Sequence, residues 1–277
     1  MNSRCRGWLA AALLVSLCPP VADAASLPAE IASSKTLRLA LEPSYPPLEM
    51  RDTKTNELTG FDVELATAIA SDLGLKIEWQ TSAFEQLTPS LQSGRADMIM
   101  SGFYDIPKRR GMFDFVDYLK AGAQFYTLAA SKELKTVSDL CGKTVTTTRG
   151  TSFPETIKAL SDKSCAGKEP ITVIVDTDLG QQLSNLKQGR ADAAVQGLEA
   201  VPTIVAQDPG MYRPMGEPFS STLMGMAFSK DNPGLRDAFQ EGLKKVIADG
   251  RYDALIAKWK LDLSSYKEAT VNLGPAP

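Results

Sequence analysis

Leu91-Gln-Ser-Gly-Arg-Ala-Asp-Met-Ile-Met-Ser-Gly102 and Leu186-Lys-Gln-Gly-Arg-Ala-Asp-Ala-Ala-Val-Gln-Gly197 share the frame L-x-x-G-R-A-D-x4-G, 95 residues apart. Each copy reads as a helix end, a glycine stop at Gly94 or Gly189, and a short apolar strand, Met98–Met100 or Ala193–Val195. Glycine follows helices because it takes the left-handed conformation without a Cβ penalty. A short continuous apolar run suits a strand covered on both faces. Each copy ends in glycine at the strand's carboxyl end, the edge where open α/β sheets bind ligands. A dozen positions leave chance similarity open, but the frame favours two α/β lobes of like construction.

The flanking sequence agrees. Thr36–Leu41 alternates as a strand, and Phe61, Leu65, Ala68, Ile69 and Leu73 recur at helical spacing before Gly74. Lys76–Trp79, Gly142–Thr147 and Ile171–Val175 read as further strands. Asn232-Pro233 opens a helix with Leu235, Phe239, Leu243 and Val246 on one face, closed at Asp249-Gly250. A second helical stretch carries Leu255, Ile256 and Trp259, and the tail after Tyr266 is expected to be loose. Strands alternating with helices predict an α/β protein with parallel sheets.

Composition narrows the chemistry. The 277 residues include 30 basic and 33 acidic side chains, 4 cysteines and no histidine. Without histidine there is no Ser-His-Asp triad, Cys-His pair or histidine-ligated zinc. A formal charge of −3 gives no reason to expect nucleic acid as a partner. Gly142-Lys143-Thr144 resembles the end of a phosphate loop, but Val137 stands where its leading glycine belongs. Nucleophile-elbow, dinucleotide and calcium-loop patterns are absent, so no cofactor or metal is expected.

The N-terminus reads as an export signal. Arg4 and Arg6 precede an apolar run from Trp8 to Leu17, then Pro19, Pro20 and Ala22-Asp23-Ala24, which a signal peptidase would accept. The run is too short to span a hydrocarbon core of about 30 Å. Leu17 stands where a lipid-anchor signal wants a small residue, so Cys18 is not expected to be lipidated. Cleavage near Ala24 removes Cys5 and Cys18 and leaves Cys141 and Cys165. In an exported chain these are most simply a disulfide, and two separate thiols are the alternative.

Ordered blocks then give a resemblance. They are Tyr45-Pro-Pro, Gly60-Phe-Asp-Val-Glu-Leu-Ala, the first repeat copy, Pro107-x-Arg109, Phe113-Asp-Phe115, Asp139-Leu-x-Gly-Lys143, Gly150-Thr151 and Asp249-Gly-x-Tyr…Lys258-Trp259. Together, from about Lys35 to Leu263, they resemble the periplasmic solute-binding proteins of the polar amino-acid uptake class, family 3 of the extracellular solute-binding proteins. That resemblance implies a two-lobed periplasmic binding protein fold with crossing hinge strands and a ligand cleft that closes by hinge motion. Crossings near Ala123–Ala130 and Thr222–Phe228 would divide the chain into a signal peptide (1–24), lobe 1 (25–124 plus 226–277) and lobe 2 (125–225). The expected partners are a small amino acid or derivative and ABC permease subunits in the inner membrane. The expected state is a monomer in the periplasm.

The resemblance also assigns residues. Arg109, six before Phe115, matches the arginine that binds the ligand α-carboxylate, and a guanidinium's planar fork suits that role. Gly150, Thr151 and Ser152 match the second-lobe turn that grips the same carboxylate. Gly102 matches the position offering a carbonyl to the ligand amine, while Tyr45 and Phe84 match positions that cover its side chain. Glu42, three before Tyr45, matches an acid that meets cationic side chains in some relatives; a plain solvated carboxylate is the other reading. Two positions depart from the pattern. Gly197 stands where the amine-binding carboxylate is usual, with Glu199 two residues on, and Tyr104 replaces a Ser or Thr. The ligand is therefore expected to be an amino acid or an amino-acid-like carboxylate, with the handling of its amine open. The function is binding without catalysis; the alternative is a cyclohexadienyl or prephenate dehydratase on the same fold, with Glu199 as proton donor.

Overall fold

A computed structural model describes residues 27–274. The export signal, with Cys5, Cys18 and Ala24, lies outside the described residues. Two α/β sheets organise the chain. The first runs in the order Lys76–Thr81, Thr36–Leu41, Met98–Ile99, Thr222–Ser229, Tyr104–Asp105, and the long strand Phe113–Ala121 also pairs with Thr222–Ser229. The second runs Thr172–Asp176, Thr144–Thr148, Ala193–Gly197, Ala123–Leu128, Tyr212–Met215.

The two repeat copies occupy equivalent places. Met98–Ile99 lies between a parallel neighbour, Thr36–Leu41, and an antiparallel one, Thr222–Ser229. Ala193–Gly197 lies between parallel Thr144–Thr148 and antiparallel Ala123–Leu128. The aspartate of the frame has the same task in both. Asp97 accepts the Arg38 amide at 2.7 Å and returns its own amide to the Arg38 carbonyl at 2.8 Å. Asp192 accepts the Thr144 amide at 2.9 Å and donates to the Thr144 carbonyl at 2.8 Å. Each aspartate thus staples its strand to the parallel neighbour just after the glycine turn, where Gly94 and Gly189 hold φ of +71° and +67°.

Helices cover both sheets. Phe61–Asp72 buries Phe61, Leu65 and Ile69, and Pro233–Ala248 buries Leu235, Phe239, Leu243 and Val246. The two helices approach so closely that a Cβ on Gly242 would lie 2.6 Å from the Ile69 side chain. In the second sheet's layer, Cys141 and Cys165 are joined as a disulfide, tying the loop before Thr144–Thr148 to the end of the helix Phe153–Ser164. The chain leaves the first sheet after Ala121, enters the second at Ala123, and returns to the first at Thr222. The crossing segments touch: a Cβ on Gly122 would fall 2.2 Å from the Ser220 carbonyl oxygen.

The tail differs from the sequence expectation. Rather than hanging loose, residues 265–274 lie along Phe113–Ala121, with bridges Leu119–Ser265 and Val116–Val271. The Asn272 side chain accepts the Phe115 amide at 2.8 Å, and the amides of Leu273 and Gly274 donate to Asp117 and Asp105. Both carboxylates are fully buried, and these amides meet part of their hydrogen-bonding demand, so the tail is fixed by partners remote in sequence.

Candidate functional site

Between the two sheets opens a cleft. Eight of the ten residues singled out above line it: Glu42, Tyr45, Phe84, Gly102, Tyr104, Arg109, Thr151 and Ser152. Gly150 and Gly197 stand just outside the lining and contribute backbone groups to it. The Gly150 carbonyl accepts from Arg109 at 3.3 Å, and the Gly197 amide donates to the Tyr45 hydroxyl at 3.2 Å. Ser44, Thr148, Phe153, Leu179 and Gln196 also line the cleft and were not anticipated. Gln196 was within reach of sequence reasoning, since it immediately precedes the glycine ending the second repeat. Phe153 and Leu179, by contrast, sit in helix first turns and read as core.

Arg109 is presented by a single helical turn, Pro107–Arg110, opened by a proline whose fixed φ suits that position. Its guanidinium carbon lies 3.7 Å from the Phe103 ring centroid and 5.6 Å from that of Phe84. One terminal nitrogen donates to the Tyr104 carbonyl at 3.1 Å, the other to Gly150. Only 7% of the residue is exposed, and among the described residues no carboxylate pairs with it. Burial pulls its pKa down to about 10, so it remains a cation at neutral pH. A buried charge is tolerated only with compensation, and rings and carbonyls supply part of it. The remaining donors offer an anion in the cleft a two-pronged partner.

Facing Arg109 is the turn Gly150-Thr151-Ser152, which leads into Phe153–Ser164. Gly150 has φ +81°, and a Cβ there would lie 2.8 Å from the Glu85 Cα, so the lobes meet backbone to backbone. The Thr151 hydroxyl donates to the Thr148 carbonyl at 2.7 Å, fixing the turn. The first amides of the following helix carry positive potential toward the same space.

The other side of the cleft is acidic. Glu42 accepts the Ser44 hydroxyl, and its amide donates to Ser101 Oγ at 2.9 Å. Burial, with a smaller push from Asp178 across the cleft mouth, raises the Glu42 carboxyl above its ordinary range. Glu42 and Asp178 also flank an outer chamber with Thr81, Ser82 and Thr177. Behind the cleft, Asp62 accepts the Gly102 amide at 3.0 Å and the Tyr118 hydroxyl at 2.7 Å, fixing Gly102's backbone. Beside it, Glu49 accepts from Ser101 at 2.8 Å, and burial raises both carboxyls. Asp62 belongs to a block quoted above, but no local pattern marks it as a brace.

The two departures resolve geometrically. The Tyr104 hydroxyl reaches the Gly122 carbonyl at 3.2 Å and its ring meets Phe153 edge-on at 5.8 Å, so it joins the crossing to the cleft wall. The space a side chain on Gly197 would need is full: a Cβ there would lie 1.6 Å from Glu199 Oε1. Glu199 folds back over the glycine, is 4% exposed, and accepts the Tyr45 hydroxyl at 2.5 Å.

Comparisons with known proteins point one way. The family model for bacterial extracellular solute-binding proteins, family 3, matches residues 37–262. The arginine-binding protein ArgT of Corynebacterium glutamicum is 30% identical over 257 residues, covering 91% of this chain and 83% of that protein. A solved ancestral arginine-binding protein bound to arginine superposes with TM-score 0.75 at 30% identity, covering 81% of this chain and 98% of the other. The ancestral amino acid-binding protein AncCDT-1, a precursor of cyclohexadienyl dehydratase, superposes with TM-score 0.75 at 28% identity, covering 83% and 97%.

Proposed function

The chain belongs to family 3 of the bacterial extracellular solute-binding proteins, and on that premise we propose that it is the extracytoplasmic receptor for an amino acid with a cationic side chain. The observation that carries this reading is Arg109: a buried guanidinium lining the cleft without a carboxylate partner. It awaits the ligand carboxylate, which the turn at 150–152 grips from the other lobe. Glu42, with Asp178 beyond it, faces the distal cation at the cleft mouth. The same reading places the export signal at 1–24, the mature protein in the periplasm, and ABC permease subunits as partners. Its hinge lies where the chain passes between sheets, near Gly122 and again between Met215 and Thr222.

A dehydratase would need an acid facing its substrate. Glu199 has the burial for it, but its carboxyl is hydrogen-bonded to the Tyr45 hydroxyl and is not among the side chains lining the cleft. The receptor reading is therefore preferred. A thermal-shift panel of amino acids, opines, simple carboxylates and prephenate tests it. Ligand at 100 times its Kd stabilises by about 2.7 kcal/mol, a rise of about 5–10 °C for a chain of this size. Shifts with arginine, ornithine or lysine are expected. Turnover of prephenate, or a panel with no shift, would overturn the reading.

A further inference from the structure

Tyr45 spans the ends of both repeats. Its ring covers Gly102, where a Cβ would lie 2.8 Å from a ring carbon, and its hydroxyl accepts the Gly197 amide. Gly102 lies three residues past the carboxyl end of the Met98–Ile99 strand of the first sheet and Gly197 ends a strand of the second, so this side chain bridges the carboxyl edges of the two sheets. The hydroxyl proton goes to Glu199 Oε1, which fills the space above Gly197. Glu199 Oε2 is buried and has no hydrogen-bond partner. The titratable groups facing this carboxyl are Tyr45, Tyr104, Tyr118 and Asp62, and none supplies a positive charge.

An unpartnered carboxylate oxygen among phenols and another acid is costly as an anion and tolerable as an acid. We propose that Tyr45 and Glu199 form a latch between the lobes whose closed form takes up a proton at Glu199. The inference rests on the reading of a receptor that closes by hinge motion. When the lobes part, the Tyr45 bond breaks and the Glu199 carboxyl regains water. Burial in the closed form raises its pKa from the ordinary 4.5 to about 7. Protonation therefore favours closure. The advantage is complete below the solvated value and is lost as pH rises through about 7. From those two values the closure equilibrium is about 30-fold more favourable at pH 5.5 than at pH 8.5.

The test is small-angle X-ray scattering on ligand-free mature protein at pH 5.5 and 8.5. The wild type is expected to show a smaller radius of gyration at pH 5.5. Glu199→Gln, a neutral side chain that still accepts from Tyr45, is expected to stay compact at both pH values. Tyr45→Phe, which removes the donor, is expected to be more open than wild type at pH 5.5. Equal wild-type radii at the two pH values would overturn the latch, as would a Tyr45→Phe radius equal to wild type at pH 5.5. The wild-type comparison decides the matter even if a variant fails to fold. Because no ligand is used, a pH-dependent radius beside an unresponsive ligand panel sinks the receptor reading and leaves the latch standing. Ligand binding with a pH-independent radius sinks the latch alone.

Discussion

Arg109→Ala loses ligand binding while the unliganded protein keeps its fold. The guanidinium is almost wholly buried, touches two rings and two carbonyls, and has no acid partner among the described residues. In the absence of ligand its charge is a burden on the folded state, since burial pulls its pKa down and no acid among the described residues offsets the desolvation. Removing it costs packing over Phe103 but relieves that burden. Arg109→Met, which keeps an apolar stem, is thus expected to melt no lower than wild type. Binding behaves oppositely, because one half of a desolvated charge pair is gone. Truncations of that kind cost about 2–5 kcal/mol, or about 30- to several thousand-fold in Kd. Arg109→Lys retains charge without the planar fork and should fall between. Calorimetric titration beside a melting curve measures both effects. A variant that binds normally, or that binds weakly only because it unfolds, contradicts the assignment.

Glu42→Gln weakens the binding of basic amino acids and spares neutral ones. The carboxylate is half-buried at the junction between the cleft and its outer chamber, and it is held by Ser44. A partly desolvated ion pair at such a place is worth about 1–3 kcal/mol, so Kd for arginine should rise about 5- to 150-fold while that for glutamine changes little. Glu42 must be ionised to attract a cation. Because its pKa is raised, protonation of Glu42 as pH drops through that raised value weakens arginine binding, and Glu42→Gln removes this contribution, leaving only the dependence that closure at Glu199 brings. The sign is opposite to that of closure at Glu199, so the pH profiles of Glu42→Gln and Glu199→Gln separate the two acids. Equal losses for arginine and glutamine would instead assign Glu42 to the scaffold.

What the sequence disclosed follows from what is local. The repeat frame was legible because a glycine turn and an aspartate staple act within a few residues of the strands they serve, and the same bonds recur at Asp97 and Asp192. Helix faces such as Leu235, Phe239, Leu243 and Val246 were legible for the same reason. The cleft residues were named through family resemblance; spacing alone leaves Arg109 a surface cation between Lys108 and Arg110. Two features were hidden because their partners are remote. The tail reads as loose from its prolines, yet buried Asp105 and Asp117, over 150 residues earlier, hold its amides. Gly197 reads as a missing acid, whereas the turn at 198 returns the Glu199 carboxyl into the space above it. No periodicity encodes that return.

The most direct measurement is a pair of calorimetric titrations of the mature protein, with L-arginine and with agmatine, the same molecule without its carboxylate. The account predicts that arginine binds and that agmatine binds at least about 30-fold more weakly, the smallest loss expected when a buried charge pair lacks one partner. Agmatine binding as tightly as arginine would show that Arg109 does not receive a carboxylate, and the account of the cleft would fall with it.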